Sequence, residues 1–347
     1  MQARELVWAA LRHQETERCP YNLMFSPPAE ARLEEHYGCD DLQEYLDINL
    51  YLFGCAGKPL YASPEEYGPT IADEWGVVWS TSRIDRGYPV QHPLLEPSLA
   101  GYEFPDPLAS ERWDSVPEAA RRYPHQFRVA VIGDLWERAH FLRGLDRLLM
   151  DLREAPGFVH ELLDRICEHS LATLEGMAPH QPDGVFISDD YGFQDRLMMS
   201  PGDWRGFVKP RLARLLSAAK AQGLVTMLHS CGNVSAIVRD LIEMGLDILH
   251  PIQPEAMDVF ALKREFGRDL TLCGGISTQQ TLPYGTPDEV REEVRRKARA
   301  LGQGGGYIVE PGITLQADVP LANLIALIEA ARGVRTDRHD RATDARE

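Results

Sequence analysis

The chain has 347 residues, 44% of them hydrophobic, which is enough for a large core and too apolar for a disordered chain. Against 36 Lys and Arg stand 53 Asp and Glu, a net charge of −17, and so acidic a surface repels nucleic-acid phosphates and anionic membranes. No apolar run reaches the roughly 18 residues of a membrane span.

In chain order, "MQARELVWAALRHQE" reads as an amphipathic helix with charges throughout, not as a secretion signal. Six sparse cysteines with no pairing pattern (Cys19, Cys39, Cys55, Cys167, Cys231, Cys273) then predict reduced thiols and a cytoplasmic location. Two short apolar runs follow, "CPYNLMF" (19–25) and "LDINLYLF" (46–53), each with strand character. Residues 54–127 carry Pro, Gly and aromatic clusters such as "DEWGVVWSTS" and predict an insertion, a hairpin or lid over one end of the fold.

From residue 128 a rhythm sets in. "RVAVIGD" (128–134), "DGVFISDD" (183–190), "VTMLHSCG" (225–232), "LDILHPIQ" (246–253), "LTLCGGIS" (270–277) and "GGYIVEPG" (305–312) are apolar strands, each leading into a helical pattern. Short, wholly apolar strands suit a parallel sheet covered on both faces. Six such units plus the two earlier strands predict a closed (β/α)8 TIM barrel with an insertion between strands 2 and 3. An open doubly wound sheet would carry a glycine-rich nucleotide turn after its first strand, and "MFSPPAE" is not one.

Local signals agree with helices at the expected places. "TPDEV" supplies a Thr cap, Pro at the first helical position and acids in the first turn, while Ser200 caps "SPGDWRGFVKPRLARLLSAAKAQG", a helix kinked at Pro210. "LGQGGGYIV" precedes a strand, whereas a phosphate cradle precedes a helix, so it reads as a helix end and a turn. Residues 1–333 form one domain on this reading, and 334–347 a charged, frayed tail.

Barrels of this class place their active groups at the C-terminal strand tips. Those tips carry Asp134, then Asp189, Asp190 and Tyr191, then His229 and Cys231, then His250 and Gln253, then Cys273, and last Glu310. His229 and Cys231 are two apart on an extended segment, so both side chains point to one side and could grip one ion. Cys273 would complete a His/Cys/Cys set with an open position, which suits catalytic zinc. The bland alternative is an ordinary strand end, since His-x-Cys arises often by chance. Asp189 and Asp190 are candidate catalytic acids or bases, or a fourth ligand, with helix capping or ion pairing as the alternative. Tyr191, His250 and Gln253 are candidate substrate contacts, His250 alternatively a hydrogen-bonding group within the barrel. Cys167 sits in a helical pattern and reads as packing, and Cys19, Cys39 and Cys55 lack a His partner.

The stretch from "SPGDWRGFVKPRLARLL" through "MLHSCGNVSA" to "LDILHPIQ", then "CGGISTQQTLPYGTPDEV" and "ADVP", resembles the uroporphyrinogen decarboxylase superfamily. Within it the sequence is most similar to the cobalamin-linked, zinc-dependent methyltransferase branch. The likeness covers residues 5–333 and is strongest from 183 onward. It implies a (β/α)8 barrel, a zinc ion, a methyl group moved between a small thiol or methylated substrate and a corrinoid (cobalamin), and a homodimer. No Asp-x-His-x-x-Gly segment is present, so the resemblance puts the corrinoid on a separate partner protein. The decarboxylase proper carries a paired-arginine segment after its first strand, where this chain has "NLMFSPPAEARLEE" with Arg32 alone. A polyanionic tetrapyrrole therefore has little to bind. The resemblance makes His229 and Cys231 zinc ligands, but Ile313 in "EPGITL" stands where the branch has its last cysteine, leaving Cys273 or Glu310 as the replacement. A metal-independent decarboxylase and a non-catalytic corrinoid- or tetrapyrrole-binding protein are the other readings.

Overall fold

The computed structural model describes residues 1–59, 61–84 and 86–334, so the tail beyond Val334, expected to be frayed, lies outside the described residues. Seven parallel strands form the central sheet: β1 (Leu50–Gly54), β5 (Phe127–Gly133), β6 (Gly184–Ser188), β7 (Val225–His229), β8 (Ile248–Ile252), β9 (Thr271–Ile276) and β10 (Tyr307–Pro311), adjacent in that order. All seven coincide with predicted runs.

The first expected strand, 19–25, is not a regular strand. It touches β10 through single parallel bridges, Tyr21 to Val309 and Phe25 to Leu315. Pro20 has no N–H to donate, but its carbonyl accepts from Val309 N, and Asn22 N donates to the Val309 carbonyl, both at 2.9 Å. On its other side Asn49 N donates to the Tyr21 carbonyl at 3.1 Å, and Tyr21 N donates to Asn49 Oδ1 at 2.8 Å. The segment thus bridges the two edge strands and closes the ring with a handful of bonds.

The interior of the ring is filled by Leu50, Phe127, Val129, Phe186, Val225, Met227, Ile248, Cys273 and Ile308, and Val7 joins them. Val7 belongs to the N-terminal helix Ala3–Leu11, whose Leu6, Val7, Ala9 and Ala10 are buried. Arg4 on that helix pairs with Asp183, just before β6 begins. The helix therefore plugs the N-terminal end of the barrel and leaves the opposite mouth free for chemistry.

Between β1 and β5 the chain makes a small antiparallel sheet, β2 (Thr70–Ala72), β3 (Val78–Ser80) and β4 (Pro89–Gln91). Asp73 is its hub: Oδ1 accepts from Trp75 N and Val77 N at 3.0 and 2.9 Å, and Oδ2 accepts from Trp79 Nε1 at 2.9 Å. This sheet lies against the helix Trp136–Arg143 that follows β5. Trp79 meets Phe141 edge-on at 4.7 Å, and His92 Nδ1 lies 2.7 Å from the Phe141 carbonyl.

The predicted Thr286 cap forms, with Glu289 reaching back to Thr286 N in a full capping box. Ser200 caps its helix by accepting from Asp203 N. The kink expected at Pro210 lies just upstream: residues Trp204–Val208 make one widened π turn before the regular helix Lys209–Ala221, so Pro210 enters in the first turn, where its missing N–H costs nothing. Gly304, Gly305 and Gly306 all have positive φ and form a turn, with Gly306 N donating to the Ala10 carbonyl of the plug helix.

Candidate active site

Register sets the site. Ser188 and His229 stand side by side at the tips of β6 and β7, and His229 is in register with His250 in the middle of β8. Beyond them the loops after β6 and β7 cross at two glycines. A Cβ on Gly232, whose φ is +79°, would lie 2.3 Å from the Gly192 carbonyl oxygen, and one on Gly192 would lie 2.5 Å from Asn233 N. Only hydrogen side chains allow this approach. It brings Asp190 and Cys231 together: Cys231 N donates to Asp190 Oδ1 at 2.8 Å.

Asp190, His229 and Cys231 then form a cluster whose ligand atoms all lie within 4.8 Å of one another, the one such group of three among the described residues. His229 Nε2 is 3.3 Å from Asp190 Oδ1 and 3.5 Å from Cys231 Sγ. A tetrahedral zinc with bonds of about 2.0–2.3 Å separates neighbouring ligand atoms by roughly 3.3–3.6 Å. The donor set, one imidazole, one thiol and one carboxylate, therefore fits zinc in chemistry and in the two spacings from His229, and three protein ligands would leave a fourth position open. The side chains of His229 and Asp190 keep 19% and 22% exposure, so the cluster faces the mouth.

Burial opposes charge on Asp190, but His229, the Cys231 N–H and Arg86 outweigh it and hold the carboxyl down at about 2. Burial likewise disfavours a charged His229, yet Asp190 and Cys231 prevail and hold the imidazole well above its usual range.

The other predicted residues fall into distinct places. Gln253 stands behind the thiol: its Nε2 lies 3.6 Å from Cys231 Sγ and its Oε1 accepts from Gly232 N at 2.6 Å. Cys273 and Glu310 do not join the three-residue cluster. Cys273 lies inside the barrel and its thiol donates to Glu310 Oε2 at 2.8 Å. Its pKa is pushed well up, by burial and by that carboxylate. His250, 1% exposed, sits between His229 and Glu310 rather than at the mouth.

Asp189 is fully buried and its oxygens accept from Trp136 N and Glu137 N at 3.1 and 2.6 Å, so it caps the helix Trp136–Arg143. Tyr191 has no exposed surface and packs edge-on against Trp204 at 5.7 Å, in the wall and not in the mouth. Both side chains are buried, one at the helix end and the other in the loop packing. Asp134, at the tip of β5, pairs with Arg138 at 3.0 Å.

Two groups escaped sequence reasoning. Glu137 is buried beside the cluster, and its carboxyl is pushed up to about 7 by burial and by Asp190. Arg86, from the insertion, donates to Glu137 Oε1 at 2.9 Å. The only sequence signal for Glu137 is its place in the first turn after a strand tip that already carries Asp134.

A parallel barrel with a cluster of possible metal ligands at its C-terminal mouth has the layout of (β/α)8 enzymes, whose active groups sit at that end. The uroporphyrinogen decarboxylase (URO-D) family model matches residues 78–334, and the chain belongs to that family. It is 30% identical over 170 residues to the methylcobamide:CoM methyltransferase MtaA of Methanosarcina barkeri, covering 49% of this chain and 47% of that protein. It is 23% identical over 273 residues to a methylated-thiol–coenzyme M methyltransferase of Methanosarcina mazei, covering 76% and 71%. A uroporphyrinogen decarboxylase of Magnetococcus marinus is 24% identical over 188 residues, covering 52% and 50%. The chain spans about half the length of most curated relatives it matches. Among solved structures, a methyltransferase from Methanosarcina mazei superposes with a TM-score of 0.73 at 21% identity, covering 95% of this chain and 98% of that one, which shows the shared fold.

Proposed function

We propose that the chain is a zinc-dependent methyltransferase of its family, moving a methyl group between a small thiol or methylated substrate and a corrinoid carried by a partner protein. The observation that carries this reading is the Asp190–His229–Cys231 cluster at the mouth. The names of two of the relatives above support the reaction class. Zinc held by these three residues would supply Lewis acidity, which lowers the pKa of a coordinated thiol.

The chain's own residues prepare the place. Asp190 fixes Cys231 through the Cys231 N–H, and Gln253 steadies its sulfur from behind. Asp189 and Asp190, expected to handle protons, are otherwise engaged: the first caps a helix and the second stays ionised to about pH 2. Glu137, with its pKa near neutrality, takes that role in this proposal and can hold or release a proton at a carboxylate oxygen. Phe186 packs on both His229 and His250, at 5.9 and 5.6 Å, and gives the floor of the site an apolar ring.

A polycarboxylate substrate has no free guanidinium among these groups. Arg86 is paired with Glu137, Arg138 with Asp134 and Asp73, and Arg32 donates to the carbonyls of Ala317 and Val319. That argues against the decarboxylase reading. No helix among the described residues is long and apolar enough to cross a membrane. The proposal takes the working form to be a homodimer, which analytical ultracentrifugation checks.

Metal analysis of the purified wild type beside His229→Ala and Cys231→Ala tests the reading. Near-stoichiometric zinc in the wild type and its loss from both variants is the expected result. A wild type that binds no zinc overturns it, and catalysis that survives both chelation and Cys231→Ser points to the decarboxylase instead.

A further inference from the structure

Behind His229 runs a buried line of side chains that no substrate can touch. His229 Nδ1 lies 3.0 Å from His250 Nδ1. His250 Nε2 lies 3.3 Å from Glu310 Oε1, near enough for an ion pair though not aligned for a hydrogen bond. Glu310 is in turn held by Asn22, whose Nδ2 donates to Oε1 at 2.8 Å, and by the Cys273 thiol on Oε2. The side chains of His250 and Glu310 are 1% and 2% exposed.

The proton positions follow from one condition. If His229 Nε2 offers its lone pair to the mouth, its proton must sit on Nδ1. That proton can only be donated to His250 Nδ1, which must then be the accepting nitrogen. The His250 proton is thereby forced onto Nε2, where the Glu310 carboxylate faces it. Each assignment compels the next, and no two donors or two acceptors meet. Glu310 stays ionised in this setting: burial opposes its charge, but His250, Cys273 and Asn22 together hold its pKa below the usual value.

We propose that Glu310 and His250 are positioning residues that lock His229 in the tautomer and orientation needed to bind a metal through Nε2, and that strengthen it as a donor by placing a buried carboxylate two links behind it. The proposal rests on the metal reading above. It also gives Cys273 a purpose as a clamp on Glu310. Second partners of metal-bound imidazoles commonly act in this way, and losing one weakens affinity by roughly 10–100-fold.

Two substitutions cut the line at different places, Glu310→Gln at the carboxylate and His250→Gln at the middle. Zinc dissociation constants from competition with a chromophoric chelator are expected to rise about 10–100-fold in each. The double variant should bind no more weakly than His250→Gln alone, because both act through one path. Thermal melts of the metal-free forms report folding separately, and if only one variant folds, that one decides. In the zinc-loaded wild type the His229 Nδ1 proton should give a downfield, slowly exchanging NMR line that shifts or vanishes in either variant, which a merely structural role would not cause. Zinc affinity within twofold of the wild type in a folded variant overturns the relay while leaving the metal site standing. Absence of zinc from the wild type overturns both.

Discussion

Glu137 shows how one side chain can carry chemistry that its sequence neighbourhood hides. Its carboxyl is pushed to about 7, first by burial and then by Asp190. A carboxyl raised on folding binds more protons in the native than in the unfolded state between its ordinary value and 7. Stability therefore falls as pH rises through that window and levels off above it. For the metal-free protein, this one group contributes a fall on the order of 3 kcal/mol. Denaturant unfolding of wild type and Glu137→Gln between pH 4.5 and 7.5 should show the wild-type curve declining more steeply. Parallel curves would mean that Glu137 titrates normally. His229 and Cys231 were legible because alternation along a strand puts positions i and i+2 on one side. Glu137 was not, because its partner Arg86 lies 51 residues away and its raised pKa comes from burial and from Asp190 beyond another strand. Asp189 and Tyr191 looked like site residues for the same reason that Asp190 does, and only packing separates them.

At the scale of elements, the site depends on two loops touching. Gly192 and Gly232 let the turns after β6 and β7 cross, and Asn233 N donates to the Phe193 carbonyl at 2.7 Å just beyond. A methyl group at Gly192 would meet backbone, at 2.5 Å from Asn233 N and 2.7 Å from Gly232 C, so the loops must part. Asp190 and Cys231 sit on opposite sides of that crossing. Gly192→Ala should therefore weaken zinc binding at least tenfold, while the seven-stranded sheet keeps its far-ultraviolet circular dichroism. Wild-type affinity in that variant would show that the cluster tolerates a wider crossing. Elements with local signals were readable beforehand: seven apolar strands, the Thr286 box and the Ser200 cap. The π turn at Trp204–Val208 was not, since one extra residue in a turn leaves the hydrophobic pattern nearly unchanged. The closing segment 19–25 has the apolar composition of a strand but only single bridges, because composition says nothing about how many ladder bonds form.

For the whole molecule, the barrel and the insertion are two layers that share one helix, Trp136–Arg143. The insertion contributes Asp73, Arg86 and His92 to that helix, and Arg138 is the centre of the contact. Its guanidinium pairs with Asp73 at 3.2 Å and Asp134 at 3.0 Å, and lies over the rings of Trp75 and Phe141 at 5.0 and 5.7 Å. The three charged side chains are 17%, 5% and 13% exposed, so neither carboxylate can find water if the arginine leaves. Breaking a buried pair by removing one partner costs about 3–5 kcal/mol, well above the worth of a surface bridge. Arg138→Met keeps most of the packing over the two rings and removes only the charge. Two negative groups are then left facing each other across the joint, one on each layer. The insertion should lift before the barrel melts, because Arg138 is the charged centre of its contact with the helix, whereas the parallel strands are held on both edges. Limited proteolysis should cut Arg138→Met between residues 54 and 127 under conditions where the wild type is intact, with the barrel fragment staying folded. If the variant instead loses both layers in one transition, or resists cleavage as the wild type does, the insertion is an integral part of the barrel wall and not a layer clamped onto it.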